Sequence, residues 1–245
     1  MAVGVKSKLN RITKQAMTDN ILQQQIEYYR ARANEYDQWF YRIGRYDRGI
    51  EINQRWFNEV AVIKNTLHQI GVVDDILELA CGTGIWTQEL LSIGKKITAI
   101  DVSEEVITIN RSKLNSLSVE YQLRDLFTWQ PDTEYDLVFF AFWLSHVPPK
   151  LLDSFLTKVY QSVRVSGQLF IIDSSFEPTS TANNHILIDD GNIYKTRKLN
   201  DGQKFQIVKI FYQPDQLQDK LKQVGFHADV NLTDNYFIYA HGTKV

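Results

Sequence analysis

Residues 76–87 read Ile76-Leu77-Glu78-Leu79-Ala80-Cys81-Gly82-Thr83-Gly84-Ile85-Trp86-Thr87, an apolar run that passes an acid and a glycine turn and enters a helical pattern. A strand, a glycine turn and a helix in succession form the unit of an α/β sheet that receives a nucleotide-like ligand. A dinucleotide fingerprint, G-x-G-x-x-G, would place a third glycine at position 87. Thr87 stands there, so the turn alone does not fix the ligand and the rest of the chain must.

The hydrophobic period changes regularly on either side of the turn. Residues 75–80 are expected as a buried strand, 85–93 as a helix, 96–102 as a strand, and 104–115 as a helix with Ser103 at its N-cap. Residues 119–123, 136–142 and 167–173 supply three further strands, with a helix over 149–163 before the last. Short apolar strands separated by helices specify a mostly parallel sheet covered on both faces.

Composition narrows the function. The 245 residues are 44% hydrophobic and carry a formal net charge of -2, enough for one large core and no basis for a nucleic-acid partner. The longest apolar run, 137–144, is far too short to span a membrane. Cys81 is the sole cysteine, which excludes an internal disulfide and fits a reducing, cytoplasmic setting. Residues 1–18 hold Lys6, Lys8, Arg11 and Lys14 without an acid, and are expected as a mobile basic lead-in to a single domain over 19–245.

Ligands of such sheets bind outside the carboxyl ends of the strands. Those ends carry Glu78 and Ala80, Asp101, Asp125, the stretch 141–146, and Asp173. Asp101, at the end of the second strand, is placed to accept hydrogen bonds from two ribose hydroxyls. Capping of the next helix is its structural alternative, and the company of Asp125 and the glycine turn favours the ligand.

Glu78 to Gly84, Ile100-Asp101-Val102-Ser103, Arg124-Asp125-Leu126 and Asp136-Leu137-Val138-Phe139 resemble the successive motifs of class I S-adenosylmethionine-dependent methyltransferases. The family pattern at the turn is acid-x-G-x-G-x-G, and the chain departs from it only at Ala80. A closer likeness is to small natural-product methyltransferases, the dehydrophos-type phosphonate O-methyltransferases among them. It lies in Tyr28-Tyr29-Arg30-Ala31-Arg32-Ala33, in Trp143 to Pro148, and in Asp201-Gly202 followed by Ile207-Val208-Lys209.

The resemblance implies a Rossmann-like seven-stranded sheet, an N-terminal helical lid over 19–70, a cofactor-binding core over 71–175, an inserted hairpin over 176–213, and a final helix and strands over 214–245. It implies S-adenosylmethionine as cofactor. The backbone from Ala80 to Gly84 would pass beneath the cofactor, Asp101 and Val102 would meet its ribose, and Asp125 and Leu126 its adenine. Glu78 would orient the loop or the cofactor's ammonium, while Trp86, Ala141 and Phe142 would line the site.

Residues 20–40 lack Gly and Pro and read as helical, which puts Tyr28, Arg32 and Tyr36 on one face. An arginine at this place binds the cofactor's carboxylate in related enzymes, and a solvated surface helix is the alternative. Beyond the fifth strand, residues 193–199 and 204–212 flank a turn at 200–203 and read as a β-hairpin. Residues 213–224 then read as a helix and 236–240 as a last strand. In the hairpin Lys209 interrupts an apolar face, so it either snorkels or has an anionic partner, with Arg197 its neighbour across the strands.

The expected acceptor site therefore comprises Tyr29, Trp143, His146, Arg197 and Lys209, with His146 as the candidate base. Lone histidines are more often structural, and an oxyanion acceptor needs no base. The remaining histidines show no metal-ligand spacing, so no metal is expected. The function implied is methylation of a small molecule, on an acidic or hydroxyl oxygen. N- or C-methylation, an NAD-dependent oxidoreductase and a non-catalytic cofactor-binding protein are the alternatives.

Overall fold

The computed structural model describes residues 20–188 and 190–245. The basic lead-in expected at 1–18 lies outside the described residues. Seven strands form one sheet: β1 (Val73–Leu79), β2 (Gly94–Asp101), β3 (Val119–Leu123), β4 (Tyr135–Ala141), β5 (Val163–Ser174), β8 (Phe226–Leu232) and β9 (Phe237–Lys244). Their order is β3-β2-β1-β4-β5-β9-β8. The first five pair in parallel, and β9 runs antiparallel to both β5 and β8.

The strands read as unbroken apolar runs because both faces are buried. Leu77, Leu79, Val138, Phe140, Leu169 and Ile171 enter one core with helices α6 (Pro149–Ser162) and α7 (Pro214–Val224). Their neighbours Ile76, Leu137, Phe139, Phe170 and Ile172 enter a second core on the opposite face, with α3 (Ile50–His68) and α4 (Ile85–Leu90). That is the two-residue period of a strand applied to a doubly covered sheet. Helix α5 (Glu104–Leu114) opens as expected at Ser103, whose hydroxyl accepts from the Val106 N–H, and closes on Asn115 at φ 40°.

Three features differ from the sequence reading. Residues 20–40 are not one helix: α1 covers 20–32, a tight 3-10 turn covers Ala33–Glu35, and α2 covers Tyr36–Phe40. Helix α3, within the segment expected as lid, packs on the sheet through Trp56, Val60, Ile63 and Leu67. Strand β8 is one of the seven strands the resemblance implies but has no range in the residue pattern, because its outward positions His227, Asp229 and Asn231 dilute the apolar signal of an edge strand.

Strands β6 (Tyr194–Lys198) and β7 (Lys204–Val208) form the expected hairpin as a separate two-stranded sheet. It clamps onto α1: Tyr28, Leu199 and Ile207 share a small core, and Gln25 Oε1 accepts from the Val208 N–H at 3.1 Å. Helix α1 and the hairpin together roof the carboxyl ends of the strands. Among the described residues, no helix is long and apolar enough to cross a membrane.

Candidate active site

Strand order reverses between β1 and β4, and a cleft of about 700 Å³ opens beyond their carboxyl ends. Ala80 and Phe142, which follow these two strands, adopt φ 54° and φ 56°. Non-glycine residues in that region store on the order of 1 kcal/mol each, a cost concentrated here at the ligand-facing ends of the sheet. The positive φ at position 80 accounts physically for the glycine of the family pattern.

Gly82 has φ 52°, and a Cβ built on it would meet no atom within 4 Å. The side chain it lacks would point into open space along the cleft, so a ligand can lie against this backbone. Gly84 is required for a different reason: its Cβ would fall 2.6 Å from Asn110 Oδ1. Thr87, where a dinucleotide site has glycine, is buried and donates to Glu78 at 2.7 Å, while Asn110 Nδ2 donates to Thr87 at 2.9 Å and to the Gly82 carbonyl at 3.3 Å. A side-chain network thus takes the place of the third glycine. Burial pushes the Glu78 carboxyl up to about 8, so it is mostly protonated near neutral pH. Glu78 and Trp86 face a small space beneath the loop, where the Trp86 indole N–H has no partner.

Asp101 uses both carboxylate oxygens, accepting from the Gly82 N–H and the Ser103 N–H at 3.0 Å each. It therefore latches the glycine loop and also caps the following turn, and each oxygen retains a second lone pair toward the cleft. Asp125 accepts from the Phe127 N–H at 2.9 Å with one oxygen and lines the cleft. Val102, Leu126, Ala141, Phe142 and Trp143 complete the wall, with Tyr29 and Tyr36 of the roof. No lysine or arginine is among the lining residues.

A second cavity of about 660 Å³ adjoins the cleft, sharing Tyr29, Tyr36 and Phe142 with it. Its charge is opposite: Arg32, Arg197 and the Asp173-paired Lys209 line it, with no acid among the described lining residues. Tyr28 and Arg32, expected at the cofactor, lie on this cavity. The 3-10 turn brings Tyr36 back so that the Arg32 guanidinium lies 5.6, 5.0 and 5.9 Å from the rings of Tyr28, Tyr36 and Tyr46. Arg32 is 8% exposed, forms no ion pair among the described residues, and its Nε is unpartnered.

Lys209 has an anionic partner within the chain. Its ammonium donates to Ser145 Oγ at 2.8 Å and to Asp173 Oδ1 and Ser174 Oγ at 3.2 Å. Burial lowers its pKa and Asp173 opposes the fall. Arg197 donates to His185 Nε2, a neutral acceptor, because burial and Arg197 depress His185 to about 4.

His146 is buried, with Nδ1 2.6 Å from the Val208 carbonyl and Nε2 2.7 Å from the Tyr29 hydroxyl. A carbonyl only accepts, so Nδ1 carries the proton and Nε2 accepts from Tyr29. Burial, then Lys209 and Arg197, hold the imidazole well below its ordinary pKa. It is a neutral ring whose lone pair is already engaged. Trp143, expected at the acceptor, lies on the cleft wall beside Phe127, ring centroids 5.3 Å apart.

Sequence reasoning missed Gln25, Tyr46, Asn110 and the Asp173 partner of Lys209. A polar residue on the apolar face of a helix is the only local signal for Gln25 and Asn110.

A methyltransferase domain model matches residues 76–167. The solved structure of DhpI in complex with SAH is 32% identical, with TM-score 0.74, over 91% of this chain and 97% of that one. A complex of DhpI with SAM and HEP matches equally well. The chain is 26% identical to the malonyl-acyl-carrier protein O-methyltransferase of Bacillus cereus, over 51% of this chain and 46% of that protein. It is 28% identical to the ubiquinone biosynthesis O-methyltransferase of Aromatoleum aromaticum, over 49% and 57%. The chain spans half or less of the length of the curated relatives it matches first. Fold, motifs and these likenesses define a Rossmann-like transferase. The chain belongs to the S-adenosylmethionine-dependent methyltransferases, close to DhpI, and S-adenosylmethionine is its cofactor.

Proposed function

We propose that the chain methylates an acidic oxygen, a carboxylate or phosphonate, of a small molecule. The observation that carries this reading is the cavity of Arg32, Arg197 and Lys209, free of acids and joined to the acid-lined cleft. The cleft fits the cofactor: open backbone at Gly82, and acceptors at Asp101 and Asp125 where ribose hydroxyls and an adenine amino group need them. Val102 and Leu126 would flank these groups. Arg32, at the border of the two cavities beside Tyr36, would hold the cofactor's carboxylate. Bound there, S-adenosylmethionine would supply a sulfonium methyl whose carbon the acceptor oxygen attacks in line, the C–O bond forming as the C–S bond breaks and S-adenosylhomocysteine leaves.

The chain's own residues supply position and charge. Arg197 neutralises the acceptor acid while Lys209 is held by Asp173, Ser145 and Ser174, Phe142 and Tyr36 exclude water at the junction, and the oxyanion itself is the nucleophile, so no base is required. The O-methyltransferase names of the curated relatives support oxygen as the acceptor atom. Incubation with methyl-labelled cofactor and a panel of small carboxylates, phosphonates, phenols and amines tests the reading. Label should pass to acids and leave as esters. Transfer only to amines would overturn it.

One observation favours a hydroxyl acceptor as the second reading. Tyr29 donates its hydrogen bond to His146 and so presents an acceptor oxygen at both cavities. A substrate hydroxyl would donate to that oxygen and be oriented by it, with no proton passed to the neutral His146. Under this reading Tyr29→Phe abolishes turnover of alcohols and leaves cofactor binding in place.

A further inference from the structure

A third space of about 300 Å³ lies behind the basic cavity and shares Tyr28, Tyr46, Thr181 and Arg197 with it. Its own lining adds Arg45, Lys198 and His185, and again no acid among the described residues. Tyr46 is the partition. Its hydroxyl accepts from Arg32 Nη2 at 3.5 Å on one side and from Arg45 Nη2 at 3.2 Å on the other. The Arg45 guanidinium also lies 5.2 Å from the Tyr46 ring.

Two guanidiniums on one phenol oxygen repel each other, and among the described residues only the tyrosine rings, with no carboxylate, offset this. Arg45 finds only neutral acceptors, the Tyr46 hydroxyl and the Lys198 carbonyl, and its Nε is buried without a partner. Arg197 finds only neutral His185. None of Arg32, Arg45, Arg197 and Lys198 forms an ion pair among the described residues, while Lys209 has Asp173. The positive charge therefore continues past the place where one acid would sit. Lys198 is exposed and Arg45 and Arg197 are half-buried, so the unpartnered Arg45 Nε and the unpaired Arg197 are what an anionic group would relieve, with Lys198 adding charge from the exposed side.

We infer that this rear chamber binds a second anionic group of the methyl acceptor, so that the acceptor is an elongated diacid. One acid lies before Arg197 and Lys209 facing the cofactor cleft. The other lies between Arg45 and Lys198, with Arg197 serving both. This rests on the acidic-acceptor reading above. It explains why the hairpin carries basic residues at both 197 and 198, and why Arg45 is drawn over Tyr46 to the Lys198 carbonyl.

Calorimetry on the full chain saturated with S-adenosylhomocysteine tests it, with phosphonoacetate, 3-phosphonopropionate and 4-phosphonobutyrate against alkylphosphonates of the same lengths. At least one diacid should bind about tenfold or more tighter than its monoacid counterpart, a conservative figure for a buried charge pair. In Arg45→Gln/Lys198→Gln that advantage should collapse, the diacid losing several times more affinity than the monoacid. Lys198→Gln alone gives a partial loss without touching the Tyr46 partition. Equal binding of every diacid and monoacid to the wild-type chain overturns the inference and spares the acidic-acceptor reading. Equal losses of both ligands in the double variant also overturn it, marking the chamber as an entrance. Binding of neither class removes both proposals.

Discussion

Two cavities meet at Tyr29, Tyr36 and Phe142 and carry opposite charge. The cleft over β1 and β4 offers the carboxylates of Asp101 and Asp125 with no cation in its lining; its neighbour under the hairpin offers Arg32, Arg197 and Lys209 with no acid. The cleft is built by the sheet, from residues at strand ends held by backbone hydrogen bonds. The basic cavity is built by the roof, from α1 and the hairpin, whose side chains meet across more than a hundred residues of chain. On the proposed function, the sheet holds the cofactor and the roof holds the acceptor.

Gly82→Val should break the cleft most severely. A branched side chain would fill the cofactor's approach and add about 1–2 kcal/mol of backbone strain, for an expected affinity loss of ~100-fold or more. Calorimetry with S-adenosylhomocysteine measures it, and normal binding would show that the loop lies elsewhere.

Lys209→Met is of similar size, and its effect falls first on stability. The substitution strands the Asp173 carboxylate, which is 1% exposed, so unfolding free energy should drop by about 3–5 kcal/mol. Adding Asp173→Asn should restore most of it in urea denaturation. Persistence of the full loss in the double variant would show that the ion pair is not the cause. Only that double variant isolates the role of Lys209 toward the acceptor.

Asp101→Ala should weaken the cofactor by about 1–3 kcal/mol, since it removes a charged acceptor and the latch on the Gly82 N–H. Unchanged affinity would show that the ribose is held by other groups.

A separate effect concerns pH. Glu78 is held up to about 8 against an ordinary 4.5, so the folded chain keeps a proton that the unfolded chain has lost. Its contribution to stability is complete below pH 4.5 and is lost as pH rises through 8. Glu78→Gln should flatten the decline in denaturation midpoint across that window. An unaltered slope would assign the pH dependence to another group.

The legible parts of the chain were local. Alternation and capping revealed β1 through β5, Ser103 as N-cap and the acids at strand ends, because each depends on residues within a turn or two. Lys209 showed what sequence can and cannot do: a lysine on an apolar strand face announced a partner, but Asp173 is 36 residues away and joins it only when the hairpin folds over β5. The break at Ala33–Glu35 was hidden because good helix formers fill that segment, and the turn is tightened by contacts such as Glu35 with the Asn200 N–H. His146 was visible as a candidate base, while its engagement by Tyr29 and Val208 required the roof.

The division of labour between the two cavities is tested most directly by Arg197→Gln, measured with one phosphonate acceptor and its neutral dimethyl ester in parallel with S-adenosylhomocysteine affinity. The acid's kcat/KM should fall by about 2 kcal/mol or more while cofactor affinity stays within a factor of about two. The neutral ester should bind poorly to both proteins. Equal turnover of the acid by wild type and variant, or a fall in cofactor affinity matching the fall in kcat/KM, would contradict an acceptor pocket defined by its cations.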